Sequence, residues 1–106
     1  MLKSIEALMG KKVIIRADRA GVFYGVLNEV QECGDKYAVE LTQCRRLWYW
    51  SGAASLSQMA NEGVTKPENC NFTLTLDSLI VNGVIEILPT TAAEQSSIEG
   101  VKVWKI

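Results

Sequence analysis

The run from Arg45 to Ala60, RRLWYWSGAASLSQMA, constrains the fold more than any other part of the chain. Two adjacent arginines lead into Trp48-Tyr49-Trp50, residues that favour a pleated, half-buried strand and are poorly suited to a turn. Ser51-Gly52 then ends the strand. Ala53 to Glu62 is rich in helix formers and puts Leu56, Met59 and Ala60 on one face. Ser51 is the expected N-cap and Gly63 the glycine that stops the helix. The unit is strand, break, helix, and its aromatic segment is either the keel of a core or the wall of a pocket.

The surrounding chain reads as β-rich. Residues 12–18 (KVIIRAD) and 22–30 (VFYGVLNEV) are expected strands, separated at Arg19-Ala20-Gly21. Gly25, in the middle of the second, signals a bulge or a close backbone approach. A turn at 32–36 leads to strands at 37–42 and 44–50. Residues 71–76 (NFTLTL) alternate, with Phe72, Leu74 and Leu76 inward. Residues 79–88 (LIVNGVIEIL) form a strand whose Asn82-Gly83 is either a hairpin turn or a bulge, the bulge being favoured by the flanking apolar residues. Thr91 and Glu94 have capping-box spacing before a short helix that Gly100 ends. Residues 101–106 (VKVWKI) alternate like a half-exposed edge strand. The expected fold class is α+β: a small, mostly antiparallel curled sheet or partly open β-barrel of six or seven strands with two or three short helices.

At 106 residues the chain is one domain, 1–106, large enough for one modest core. It is 48% hydrophobic with a net charge of −1, so long-range attraction to a phosphate backbone is weak and duplex nucleic acid is a poor partner. No apolar run is long enough to span a membrane, and MLKSIEALMGKK lacks the apolar stretch of a signal peptide. Three cysteines without CxxC spacing argue against a disulfide framework or a zinc knuckle and fit a reducing cytoplasm. Histidine is absent, which removes the usual general base and the commonest metal ligand. Cys33, Cys44 and Ser55 therefore have no histidine to activate them, Glu86 is expected to be buried against an arginine, and Asp35 and Asp77 are isolated turn acids. No catalytic residue, metal or cofactor is assigned.

The binding candidates follow from strand geometry. Arg45 and Arg46 point to opposite faces, Arg46 with Cys44, Trp48 and Trp50, and Arg45 with Leu47 and Tyr49. One face thus sets a guanidinium beside two indoles, the chemistry that grips a phosphate and stacks on a base. The plainer alternative keeps Trp48 and Trp50 in the core and pairs Arg46 with an acid such as Glu40. Arg16 and Arg19 flank the first turn and would line a pocket mouth, or else form a solvated surface pair with Asp18. Ser51 and Gly52 would offer N–H groups to an anion at the helix start, or simply cap it.

Residues 11–106 resemble a family of small bacteriophage and prophage proteins, on KKVIIRADRAGVFYGVL, RRLWYWSGAASLSQMANEGVTKPENC and IEILPTT. In size and β-rich layout the family is similar to phage anti-Thoeris sponges, which bind cyclic ADP-ribose isomers, and in some cases cyclic oligonucleotides, in pockets between protomers. The resemblance implies a protein of the bacterial host cytoplasm that sequesters a small nucleotide immune signal without cleaving it, countering host defence. The expected ligand-binding set is Arg16, Arg19, Arg45, Arg46, Trp48, Trp50, Ser51 and Gly52. A homo-oligomer is expected from the short, hydrophobic chain and its aromatic surplus near edges. The alternatives are a protein-interaction module that inhibits a host enzyme or serves phage assembly, with VKVWKI available for strand addition, and a single-stranded nucleic-acid binder using Trp48, Trp50 and Arg46.

Overall fold

In the computed structural model, which describes residues 2–106, strand β1 (Lys12–Ala17) is buried on both faces. Val13, Ile14 and Ile15 are all fully excluded from solvent. A strand reading KVIIRA, without polar alternation, has to be covered twice, and the rest of the fold supplies the two covers.

The first cover is made of strands. β1 pairs antiparallel with β2 (Gly21–Cys33) and with β5 (Leu76–Pro89), and β3 (Lys36–Tyr49) pairs with both β2 and β5. These four strands close a ring of hydrogen bonds around Val13, Ile15, Phe23, Leu27, Leu41 and Val84. The short β4 (Asn71–Phe72) adds to β3 outside the ring. Helices form the second cover: α2 (Leu56–Glu62) and α3 (Ala92–Gly100) lie over the outer face and enclose Ile14, Tyr24, Leu47, Met59, Phe72 and Ile98. A single-turn helix, α1 (Lys3–Glu6), precedes β1 and buries Ile5. The fold is therefore α+β with a curled antiparallel sheet and three short helices, as the sequence predicts.

The six or seven expected strands resolve into five because 37–42 and 44–50 join through a bulge into β3 and because residues 101–106 form no strand. At Gln43 the chain takes φ 49°, and the register slips between Tyr24↔Arg45 and Val26↔Thr42. Opposite the slip, a Cβ on Gly25 would stand 3.0 Å from the Thr42 carbonyl oxygen and 3.2 Å from Cys44 Cα. The close approach expected at Gly25 is thus real, and it lets β3 run unbroken. Asn82-Gly83 is likewise a bulge within β5: pairing slips between Val39↔Val81 and Tyr37↔Val84, with Gly83 at φ 72°. Residues 101–106 do not form the expected edge strand; Val103 makes one isolated parallel bridge to Phe72.

Three further expectations change. Phe72 points inward, but Leu74 and Leu76 are 53% and 49% exposed. The alternation ends because the Arg45 side chain takes the Phe72 and Thr73 carbonyls, which closes β4 after two residues. The second helix begins at Leu56, not near Ser51. Ser55 is its N-cap, accepting from the Gln58 N–H at 3.1 Å, while the Gln58 side chain accepts from the Ala54 N–H at 2.8 Å. Ser51 and Gly52 instead belong to a strap held by Thr65, whose N–H and hydroxyl both donate to the Gly52 carbonyl. Glu86 is half-exposed, not buried, although it does pair with an arginine: Arg16 Nε lies 2.7 Å from its carboxylate. Among the described residues no helix is long and apolar enough to cross a membrane.

Candidate functional site

Strand β3 carries Arg45 and Arg46 to opposite faces, as alternation demands. Arg46 is exposed and lies over the Phe23 ring, its guanidinium carbon 4.6 Å from the ring centre. Its Nη1 donates to the Ala20 carbonyl at 3.1 Å, which ties the strand to the β1–β2 turn. In that turn Arg19 adopts φ 68°, a left-handed conformation that non-glycine residues rarely hold. Two residues beyond Arg46, Trp48 is 62% exposed and stacks on Trp104, with centroids 5.2 Å apart and planes 18° from parallel. Trp50 is half-buried against the outer helical layer. Arg19, Arg46, Trp48 and Trp50 line one shallow depression of about 390 Å³.

The other candidates lie elsewhere. Arg16 is engaged with Glu86 on the outside of β1 and β5. Ser51 donates its N–H to the Cys70 thiol at 3.4 Å, and the Gly52 carbonyl is taken by Thr65. Arg45 is 4% exposed and donates to the carbonyls of Thr73, Ile98 and Phe72 at 2.9, 2.7 and 3.1 Å. It clamps β4 to the last turn of α3, where a cation is favoured by the helix dipole. The pairing of Arg46 with Glu40 does not occur: Glu40 accepts from Asn28 and Ser78. The core reading of the indoles fails for Trp48 and is met only in part by Trp50.

Trp104 completes the aromatic surface, and sequence reasoning left it out of the site. Its signal was the alternation of VKVWKI, but nothing local shows that the Trp104 N–H donates to the Phe72 carbonyl and so fixes the ring beside Trp48. A second group was also missed. Lys12 and the Tyr24 hydroxyl both donate to Glu99, holding its carboxyl below the usual range, while burial and that carboxylate push the Tyr24 hydroxyl up. Beside them Glu94 is fully buried with neither oxygen hydrogen-bonded, and burial raises its pKa to about 8. Its expected return bond in a capping box is not made. Thr91 does accept from the Glu94 N–H, but the Thr91 N–H is taken by the Ala60 carbonyl.

Chemically, the depression offers exposed guanidinium donors and aromatic faces. Among the described residues neither Arg19 nor Arg46 makes an ion pair. The cysteines are free, Cys44 being buried with its thiol pushed up to about 11 and Cys70 buried beneath the strap.

Residues 10–98 match the family described as a domain of unknown function, DUF6948, and the chain belongs to it. No curated protein and no solved structure is similar enough to count as a match.

Proposed function

We propose that the protein is a binding protein that captures a small nucleotide-type signal and does no chemistry on it. The observation that carries this reading is the convergence of Arg19, Arg46, Trp48 and Trp50 on one depression, with an indole exposed beside guanidinium groups that make no ion pair among the described residues. A base stacked on an aromatic side chain contributes about 1–3 kcal/mol. Each charge-assisted hydrogen bond to a phosphate adds about 1.5–3 kcal/mol. One stack and two arginine contacts thus sum to about 4–9 kcal/mol before the cost of association, which corresponds to millimolar to micromolar binding. Capture without turnover is supported by the absence of histidine from the sequence and by the protonated, buried state of the Cys44 thiol. The resemblance to phage proteins favours a setting in the bacterial host cytoplasm, with an immune signal as the ligand. Exposed Trp104, Leu74 and Ile80 support a homo-oligomer, which light scattering at micromolar concentration checks; a mass of one chain refutes it.

The test is calorimetry against cyclic ADP-ribose isomers and cyclic di- and trinucleotides, followed by heat release and chromatography of the ligand. Binding, recovery of intact ligand and loss of binding in Arg46→Ala are expected. No heat with any member of the panel sinks the proposal, and an altered ligand points to an enzyme. One observation favours a second reading as an interaction module: residues 102–106 are exposed, and among the described residues their strand pairing is limited to the isolated Val103 bridge. Stoichiometric capture of one host protein, lost when residues 102–106 are deleted, would support that reading.

A further inference from the structure

We propose that the face of β3 opposite the aromatic depression holds a second site, a cavity that takes the carboxylate or phosphate group of a small metabolite. The cavity is about 320 Å³ and is lined by Lys12, Tyr24, Gln43, Arg45, Thr75 and Glu99 among others. Its defining feature is Arg45. This guanidinium is 4% exposed, yet among the described residues no carboxylate stands within ion-pair distance of it. Its protein partners are three backbone carbonyls, which satisfy donors but do not neutralise a charge. A buried charge is ordinarily paired, because taking an ion out of water costs several kcal/mol that neutral partners offset only in part.

The rest of the wall fits an anion. Lys12 adds a second cation, and its ion pair with Glu99 is half-exposed, so it can rearrange at little cost. Thr75 contributes a hydroxyl and Gln43 an amide. Gln43 sits in the left-handed conformation that the β3 bulge imposes, so the strained residue of this strand is also a cavity-lining one. Glu94, buried nearby and held protonated at neutral pH, adds no opposing charge there. Counting Lys12 and Arg45 against Glu99 leaves one net positive charge around the cavity, which matches a singly charged ligand. The cavity volume is at the lower end for a small-molecule site. It leaves room for more than the anionic group alone.

The experiment is a titration of the ¹⁵N-labelled full chain with sodium phosphate and, separately, sodium acetate, each against sodium chloride at equal ionic strength. Saturable shifts of the Arg45 Nε–H and of the Gln43 side-chain amide are expected with at least one probe at about 10 mM or below. A stronger response to phosphate than to acetate assigns the group, and the reverse assigns a carboxylate. Lys12→Ala should weaken the binding by about tenfold or more. Trp48→Ala, on the other face, should leave it unchanged even if the aromatic depression binds nothing. The proposal is overturned if neither probe gives saturable shifts beyond those of chloride. It is also overturned if Lys12→Ala leaves the titration unaltered, or if the shifts fall on Arg19 and Arg46. Arg45→Ala is unsuitable alone, because Arg45 also anchors α3; Gln43→Ala serves as the second variant, with weaker binding expected in an intact fold.

Discussion

Arg45 and Arg46 are neighbours in sequence and opposites in circumstance. Arg45 is buried between β4 and the end of α3, donating to the Thr73, Ile98 and Phe72 carbonyls. Arg46 lies exposed across the open side of Phe23, with one hydrogen bond to a turn. The difference lies in what covers each face of β3. Helix α3 and β4 cover the Arg45 face, while the Arg46 face reaches the rim of the strand ring. The same residue type thus serves as a structural clamp on one face and as a surface donor on the other.

Substitution should make this contrast large. Arg45→Ala strips the Thr73 carbonyl of its donor, an unpaired buried acceptor costing about 1–3 kcal/mol, and also removes the buried stem and the cation–aromatic contact over Phe72, which add to that loss. A loss of about 3–5 kcal/mol in urea denaturation is expected, with α3 released first. Arg46→Ala forfeits one exposed hydrogen bond and a cation–aromatic contact worth about 0.5–1 kcal/mol, so the fold should remain. Equal losses for the two variants would erase the distinction.

The aromatics repeat the contrast with a somewhat smaller effect. Phe72, fully buried beneath Arg45, should cost about 3–5 kcal/mol when cut to alanine. Trp48, mostly exposed, should cost about 1 kcal/mol, the worth of its stacked partner and little more. If Trp48→Ala unfolds the protein, the indole carries core packing and the depression is no binding surface.

Glu94 sharpens the comparison from the covered side. Its carboxyl is protonated when folded up to about pH 8, against an ordinary value of 4.5 in the unfolded chain. Between those values the folded state holds the extra proton. Stability from this group is fully present below pH 4.5, declines as pH rises, and is lost above about 8. Melting temperature should fall from pH 5 to pH 8, and Glu94→Leu should flatten that fall. The variant should also be more stable than the parent at pH 8, since an apolar side chain leaves no orphaned oxygens. A parallel decline in parent and variant would place the titration in another group.

The two faces differ in how far sequence revealed them. Alternation put Arg45 with Leu47 and Arg46 with Trp48, and KVIIRAD was legible as a strand, though its cover on both faces was not read from it. Gly25 disclosed the close backbone approach and Asn82-Gly83 its bulge, because glycine in a strand has few other uses. Strand ends were less legible. Gln43 carries no bulge signature, so β3 looked like two strands. Burial of Arg45 and Glu94 was hidden as well, since it depends on α3 arriving from far along the chain. Tyr24 and Glu99 meet across 75 positions, and no local pattern encodes that contact. Trp48 deceived in the other direction: aromatics usually fill cores, but here both cores are complete without it, and its partner is Trp104.

The smallest effect tests whether the exposed indoles form a unit. A double-mutant cycle on Trp48→Ala and Trp104→Ala should give a coupling energy of about 0.5–1.5 kcal/mol, the range for a stacked aromatic pair beyond simple burial. Trp104 also fixes residues 101–106 through its N–H bond to the Phe72 carbonyl, which the alanine variant retains, so the cycle isolates the rings. Because the rings touch, Trp104→Phe also changes the surface a base would meet, and fluorescence from Trp48 in that variant reports an altered site. The cleaner probe is Trp50→Phe, which leaves the stacked pair as the emitters at the depression. Quenching by added nucleotide in Trp50→Phe, with none in Trp48→Ala, assigns the stacking surface to Trp48. Quenching that survives Trp48→Ala moves the ligand towards Trp50, and a coupling near zero means the two indoles are neighbours without being a platform.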